Sequence, residues 1–251
     1  MRSRMGILAL GVMATMAMAT RPATAAEITI LANQGAVSGV RDLAAGFEQK
    51  TGNKVTVIFA QGTEMAAMID GDKPADLVSQ FLEQFDALVK RGKVVPGSFV
   101  EYAKVGNGVA VKAGAPKPDI STPEAFKQAM LDAKSIGHSS NGTGTYNTRV
   151  FQKLGIYEQI KDKVKISNGG PIAGEVAKGT FEIGLQQTNV IQPFPGTDYV
   201  GPLPPELMEY GHIGVGLLTV SKQPDVARDF IKFMTSPEAG PLLRKSTMQP
   251  P

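Results

Sequence analysis

The densest run of small polar groups in this chain is Ser139-Ser140-Asn141-Gly142-Thr143-Gly144-Thr145. Hydroxyls and glycines in one stretch ahead of a helix have the composition of an anion nest. Glycine lets successive backbone N–H groups converge, and a helix start adds free donors of its own. Ser139, Gly142, Thr143 and Gly144 are therefore candidate ligand contacts, although the same residues also suit a plain helix N-cap. Arg149 lies four residues beyond Thr145, about one helical turn on, where a guanidinium can lean back and fork a carboxylate. A solvated surface arginine is the competing reading. Gln34-Gly35 with Ser38, Gly62-Thr63 and Gln187 each follow an expected strand, the position of crevice residues in α/β folds. Each is also compatible with a cap or turn role.

Signals for catalysis are thin. The chain has two histidines, His138 and His212, and no cysteine, which excludes a His-rich metal site and thiolate chemistry. No P-loop, zincin or nucleophile-elbow motif is present, and no cofactor or metal is expected. A proton shift in a bound acid would need one base within hydrogen-bond reach. His138 is the best placed, beside the Ser139 loop, with Glu64 and Tyr146 behind it; a structural histidine at a strand end would look the same.

These groups need a scaffold, and the apolar pattern supplies one. Ile28-Thr29-Ile30-Leu31 is a buried-strand run. Val40, Leu43, Ala44 and Phe47 then recur at helical spacing, and residues 55–59 form a second strand. The alternation continues through a short helix at 62–69, a strand entry at 74–78, and a helix striped by Phe81, Phe85 and Leu88. Thr122-Pro123-Glu124 starts another helix. A short strand is expected at 135–137, then helix and strand by turns to 185 and a C-terminal helix. Gly-bearing strands at 105–111 and 213–220 flank the central block. The pattern predicts an α/β chain in two lobes with a hinge between them, residues 27–108 and 216–251 forming one lobe and 109–215 the other; a single doubly wound domain with irregular insertions is the competing reading.

Arg2 and Arg4 precede an apolar stretch from Met5 to Met18, and small residues follow at 23–26. This is a cleavable export signal, too short to span a bilayer, so residues 1–26 are set apart and a periplasmic location is expected. The chain carries 26 Lys+Arg against 23 Asp+Glu. Three of those bases, Arg2, Arg4 and Arg21, lie in residues 1–26, where there is no acid, leaving 23 of each sign. A basic footprint for nucleic acid is absent.

Laid along these elements, the sequence resembles the periplasmic molybdate-binding protein family, the solute receptors of ABC importers. The resemblance is carried by the strand and helix over 28–47, by 54–69, and by Pro74-Ala75-Asp76-Leu77. It continues through Val150-Phe151-Gln152-Lys153-Leu154-Gly155, the Ile183-Gly184 strand and Ser236-Pro237-Glu238-Ala239. It implies a two-lobed periplasmic-binding fold, a small anionic ligand, importer membrane subunits as partners, and a monomer. The family's loop serines fall near Gly35, with Ser38 three residues on, and near Gly62-Thr63. Its third loop falls at Gly142-Thr143-Gly144 and its tyrosine near Gln187, so two hydroxyls and the tyrosine are replaced here. Gln186-Gln187-Thr188-Asn189 and Val200-Gly201-Pro202-Leu203-Pro204-Pro205-Glu206-Leu207 resemble a branch similar to aconitate isomerase. That resemblance implies an organic polycarboxylate ligand, bound by a receptor or, alternatively, interconverted between cis- and trans-aconitate without cofactor. A molybdate-type oxyanion is the further alternative.

Overall fold

Ile28 and Ile30 are fully buried in β1 (Glu27–Ala32), and Val40, Leu43, Ala44 and Phe47 cover them from α1 (Val37–Thr51). The apolar spacing of the sequence is thus the packing face of the helix. Each large side chain so buried contributes roughly 1.5–3 kcal/mol before entropy is counted. The computed structural model describes residues 25–71, 75–139, 143–167 and 171–251. Residues 1–24 of the expected export signal (1–26), Pro74 and the loop residues 140–142 lie outside these.

From α1 the chain continues through β2 (Lys54–Phe59), α2 (Gly62–Asp70), β3 (Leu77–Phe81), α3 (Phe85–Lys90) and β4 (Val100–Val105). Phe81, expected on a helix, is the last residue of β3. The second lobe holds β5 (Asn107–Lys112), α4 (Pro123–Asp132), β6 (Ile136–His138), α5 (Thr143–Lys153) and α6 (Tyr157–Ile160). It ends with β7 (Val164–Ile166), α7 (Ile172–Lys178), β8 (Ile183–Gln187), α8 (Thr188–Ile191) and β9 (Thr197–Pro202). The chain then returns as β10 (Gly211–Leu217), α9 (Pro224–Met234) and α10 (Ala239–Lys245).

Two five-stranded sheets result, ordered β2-β1-β3-β10-β4 and β7-β6-β8-β5-β9. In each, three adjacent strands pair in parallel, and one strand next to a lobe crossing, β10 in the first and β5 in the second, is antiparallel to both of its neighbours. Phe47, Phe230 and Phe233 pack together between the first sheet and α1 and α9, while Phe126, Met130 and Phe151 fill the corresponding layer of the second. This is the mixed α/β, two-lobed architecture expected.

The chain crosses between lobes at Gly106 and again between Pro202 and Gly211. Asn107 and Gly108 pair with Gln187 and Gln186 in the second sheet, and residues 211–215 pair in the first. The single strand expected at 105–111 is therefore two strands in different sheets. A glycine within a β-branched run does not reveal whether it interrupts a strand or separates two. Nor do the strand glycines stand in open space. A Cβ on Gly108 would meet the Tyr199 ring at 2.7 Å, and one on Gly216 would meet Phe85 at 2.7 Å, so both make room for aromatic rings.

Asp76 ties the first lobe together. Its carboxylate accepts from Thr29 N, Ser221 Oγ, Lys222 N and Gln223 N, joining β1 to the start of α9. That is the work of the Ala75-Asp76-Leu77 element.

Candidate functional site

β1, β2 and β3 are parallel, so the turns after them share one edge of the first sheet. β6 and β8 do the same for the second. The two edges meet. Asn189, just past β8, donates from Nδ2 to the Gly35 carbonyl at 2.9 Å and to Ser38 Oγ at 3.0 Å, across from one lobe to the other. Gln187 lies against the same turn: a Cβ on Gly35 would stand 2.7 Å from Gln187 Nε2. Thr188 secures the junction by donating its N–H to the Gly106 carbonyl and its hydroxyl to the Thr247 carbonyl.

The floor of this crevice is made of amides. Asn107 opens β5 directly opposite Gln187 in the ladder, which puts both side chains on one face. Asn107 Nδ2 donates at 3.0 Å to Oδ1 of Asn147, which α5 carries inward. Asn147 is fully buried, and Gln187 and Asn189 are 6% and 4% exposed. Three of their atoms have no hydrogen-bond partner: Asn147 Nδ2, Gln187 Nε2 and Asn189 Oδ1. Buried polar groups are ordinarily paired, because an unpaired one costs about 1–3 kcal/mol. Three such atoms near the interlobe junction make these amides candidate ligand contacts. No floor residue is charged. The start of α1 adjoins these amides: Val37 N is taken by the Asn33 carbonyl, and the N–H groups just after it have no partner within the helix.

Of the residues singled out from sequence, Gly35, Ser38 and Gln187 come together here, with Gln34 half-buried in the same turn. Gly62 and Thr63 are exposed at the start of α2, on the same edge of the first sheet. Ser139 serves as a cap, its hydroxyl accepting from Gly144 N at 3.1 Å. Gly144 is required by close approach: a Cβ there would stand 1.6 Å from the Ser139 carbonyl oxygen. Thr143 opens α5, and Gly142 lies outside the described residues.

Arg149 departs from expectation. Its Nε and Nη2 both donate to Glu209 Oε2, with the guanidinium 4.7 Å from the Tyr146 ring centre. The fork expected for a ligand is thus held by an acid 60 residues away. With His138, Thr145, Thr148, Gln152 and Lys161 it lines an open groove of about 490 Å³ beside α6 and β7, on a different face of α5 from Asn147. His138 Nδ1 lies 2.7 Å from the Ser139 carbonyl. A carbonyl only accepts, so Nδ1 carries the proton and Nε2 holds the lone pair. Burial pushes the His138 pKa below its ordinary value, against the opposing pull of the Ser139 carbonyl. Tyr146 is held above its ordinary range by burial first and then by the charge of Glu83 in the opposite lobe. His212 pairs instead with Glu101.

Asn107, Asn147 and Asn189 were not among the expected contacts. The available signal was slight: Asn189 closes the Gln186-Gln187-Thr188-Asn189 run, while Asn107 and Asn147 sit in unremarkable polar contexts. Among the described residues no three His, Cys, Asp or Glu side chains are grouped to hold a metal, and no helix is long and apolar enough to cross a membrane.

Comparison with known proteins agrees with this architecture. An aconitate isomerase of a Pseudomonas species is 29% identical over 98% of this chain and 97% of its own length. The molybdate-binding protein ModA of Rhodobacter capsulatus is 26% identical over 89% of this chain and 88% of its own. The periplasmic molybdate-binding protein of Azotobacter vinelandii superposes with a TM-score of 0.70 at 19% identity, covering 89% of this chain and 99% of that one. The profile of the bacterial extracellular solute-binding proteins matches residues 28–249. With two lobes, a crevice between them and that match over nearly its whole described length, the chain belongs to the bacterial extracellular solute-binding protein family.

Proposed function

We propose that this protein is an exported receptor that captures a small organic polycarboxylate between its lobes and delivers it to the membrane subunits of an ABC importer. The observation that carries the reading is the pair of buried, unpartnered amide donors, Asn147 Nδ2 and Gln187 Nε2, at the interlobe floor. Donors shut away from water call for acceptor oxygens, and the helix start beside them favours negative charge. A floor of planar amides, in place of the hydroxyls expected for an oxyanion receptor, favours carboxylates over a tetrahedral oxyanion. Differential scanning fluorimetry over di- and tricarboxylates, molybdate, tungstate and sulfate tests it. A bound polycarboxylate at a hundredfold excess over Kd should stabilise the protein by about 2.7 kcal/mol. Tight molybdate binding with no carboxylate response would overturn the reading.

A second reading is supported by the likeness to the Pseudomonas aconitate isomerase over 98% of the chain: the same fold could interconvert cis- and trans-aconitate. His138 has the protonation state a base requires. It opens, however, onto the groove with Thr145 and Thr148 and not onto the amide floor, which favours the receptor. Proton NMR of the protein with cis-aconitate decides: formation of the trans isomer supports the enzyme, and binding without conversion supports the receptor.

A further inference from the structure

The three unpartnered atoms of the floor are of two kinds. Asn147 Nδ2 and Gln187 Nε2 donate, whereas Asn189 Oδ1 accepts. The polarity of Asn189 is fixed by its surroundings. One of its amide atoms lies 2.9 Å from the Gly35 carbonyl oxygen, which can only accept, so that atom is the nitrogen and the other is the oxygen. Ser38 Oγ, 3.0 Å from the same nitrogen, is consistent with this. Asn189 is 4% exposed, and an acceptor closed off from water without a donor is a standing cost to this arrangement.

Resting on the reading of the crevice as an anion site, we propose that it selects an anion bringing one hydrogen-bond donor of its own, a hydroxyl or a protonated acid oxygen. Asn189 Oδ1 receives that donor, while acceptor oxygens of the ligand take the amide hydrogens of Asn147 and Gln187. A fully deprotonated anion without a hydroxyl satisfies the two donors but sets a lone pair against Asn189 Oδ1. A site built to hydrogen-bond one group rejects the analogue lacking it far more strongly than an apolar pocket rejects a misfit. A hydroxy acid meets the requirement directly. A plain polycarboxylate meets it by binding with one carboxyl protonated.

Calorimetric titration of the protein with matched pairs tests this: malate against succinate, citrate against tricarballylate, hydrogen phosphate against sulfate. In whichever pair binds, the donor-bearing member should be preferred by about tenfold or more. A non-hydroxylated acid that binds should take up one proton, read from the dependence of the heat on buffer ionisation. Asn189→Leu, which keeps the bulk and loses the acceptor, should collapse the ratio; a ratio it leaves intact overturns the role of Asn189. The wild-type ratio stands independently if that variant does not fold. Equal affinity within a binding pair, with no proton uptake, overturns the selection and leaves the anion site standing. Failure of every pair, and of aconitate and molybdate as well, overturns the anion site and the selection with it.

Discussion

Two concavities meet along α5, and they are built on different electrostatic terms. The interlobe floor holds uncharged amides that are closed to water and partly unpaired: Asn147, Gln187 and Asn189. The outer groove holds charged side chains in contact with water, and its two cations already have partners, Arg149 on Glu209 and Lys161 on Glu158. By charge alone the groove looks like the anion site. Hydrogen-bond accounting supports the proposed floor instead, because a paired and solvated cation gains little from another partner, whereas a buried unpaired donor gains a full bond.

Gly144→Ala should have the largest effect, because α5 serves both concavities. The added Cβ has no room against the Ser139 carbonyl, and urea denaturation should show a loss of about 3 kcal/mol. A stability equal to wild type would mean that α5 does not depend on this close approach.

Gln187→Leu separates the two regions. Ligand affinity should fall by about tenfold or more, while the ligand-free protein should be no less stable, since an unpaired donor leaves the interior. Unchanged affinity by calorimetry would move the binding site away from the floor.

Arg149→Ala gives the complementary result. With the guanidinium on Glu209 and 46% exposed, its removal should cost less than about 1 kcal/mol of stability and leave ligand affinity within about twofold. A hundredfold loss of affinity would restore Arg149 to the ligand and make the groove the site.

His138 gives the smallest effect, visible in pH dependence. Its folded pKa is lowered from 6.5 by burial, so the unfolded chain binds the proton more readily. Its contribution to stability is therefore present above about pH 6.5 and is lost as the pH falls through the lowered folded value. Thermal melts at pH 5 to 7.5 should show a shallower loss on acidification for His138→Gln than for wild type. Identical slopes would place the titration elsewhere.

The elements of the fold were legible because they are local. The α1 stripe, the Thr122 cap, whose Oγ1 accepts from Ala125 N, and the strands at Ile28 and Val55 follow from side chains a few residues apart. Gln187 and Gly35 were legible as residues at strand ends, although Gln187, expected just after a strand, is the last residue of β8. The pairing of Arg149 was not, because Glu209 lies beyond three further strands, on the return toward the first lobe. Ser139 showed the limit in another way: its composition suited both a nest and a cap, and only its distance from Gly144 N assigned the hydroxyl.

The sequence by itself determined the α/β alternation, the neutral balance of charge beyond residue 26 and the small polar loops at strand ends, since periodicity and composition are properties of neighbouring residues. The tertiary structure decided which loops face one another, and hence that Asn107, Asn147, Gln187 and Asn189 form one floor. Their partners are up to 154 residues apart, as Asn189 is from Gly35. Whether an amide is satisfied depends on what surrounds it in space, and the order of the chain does not carry that information.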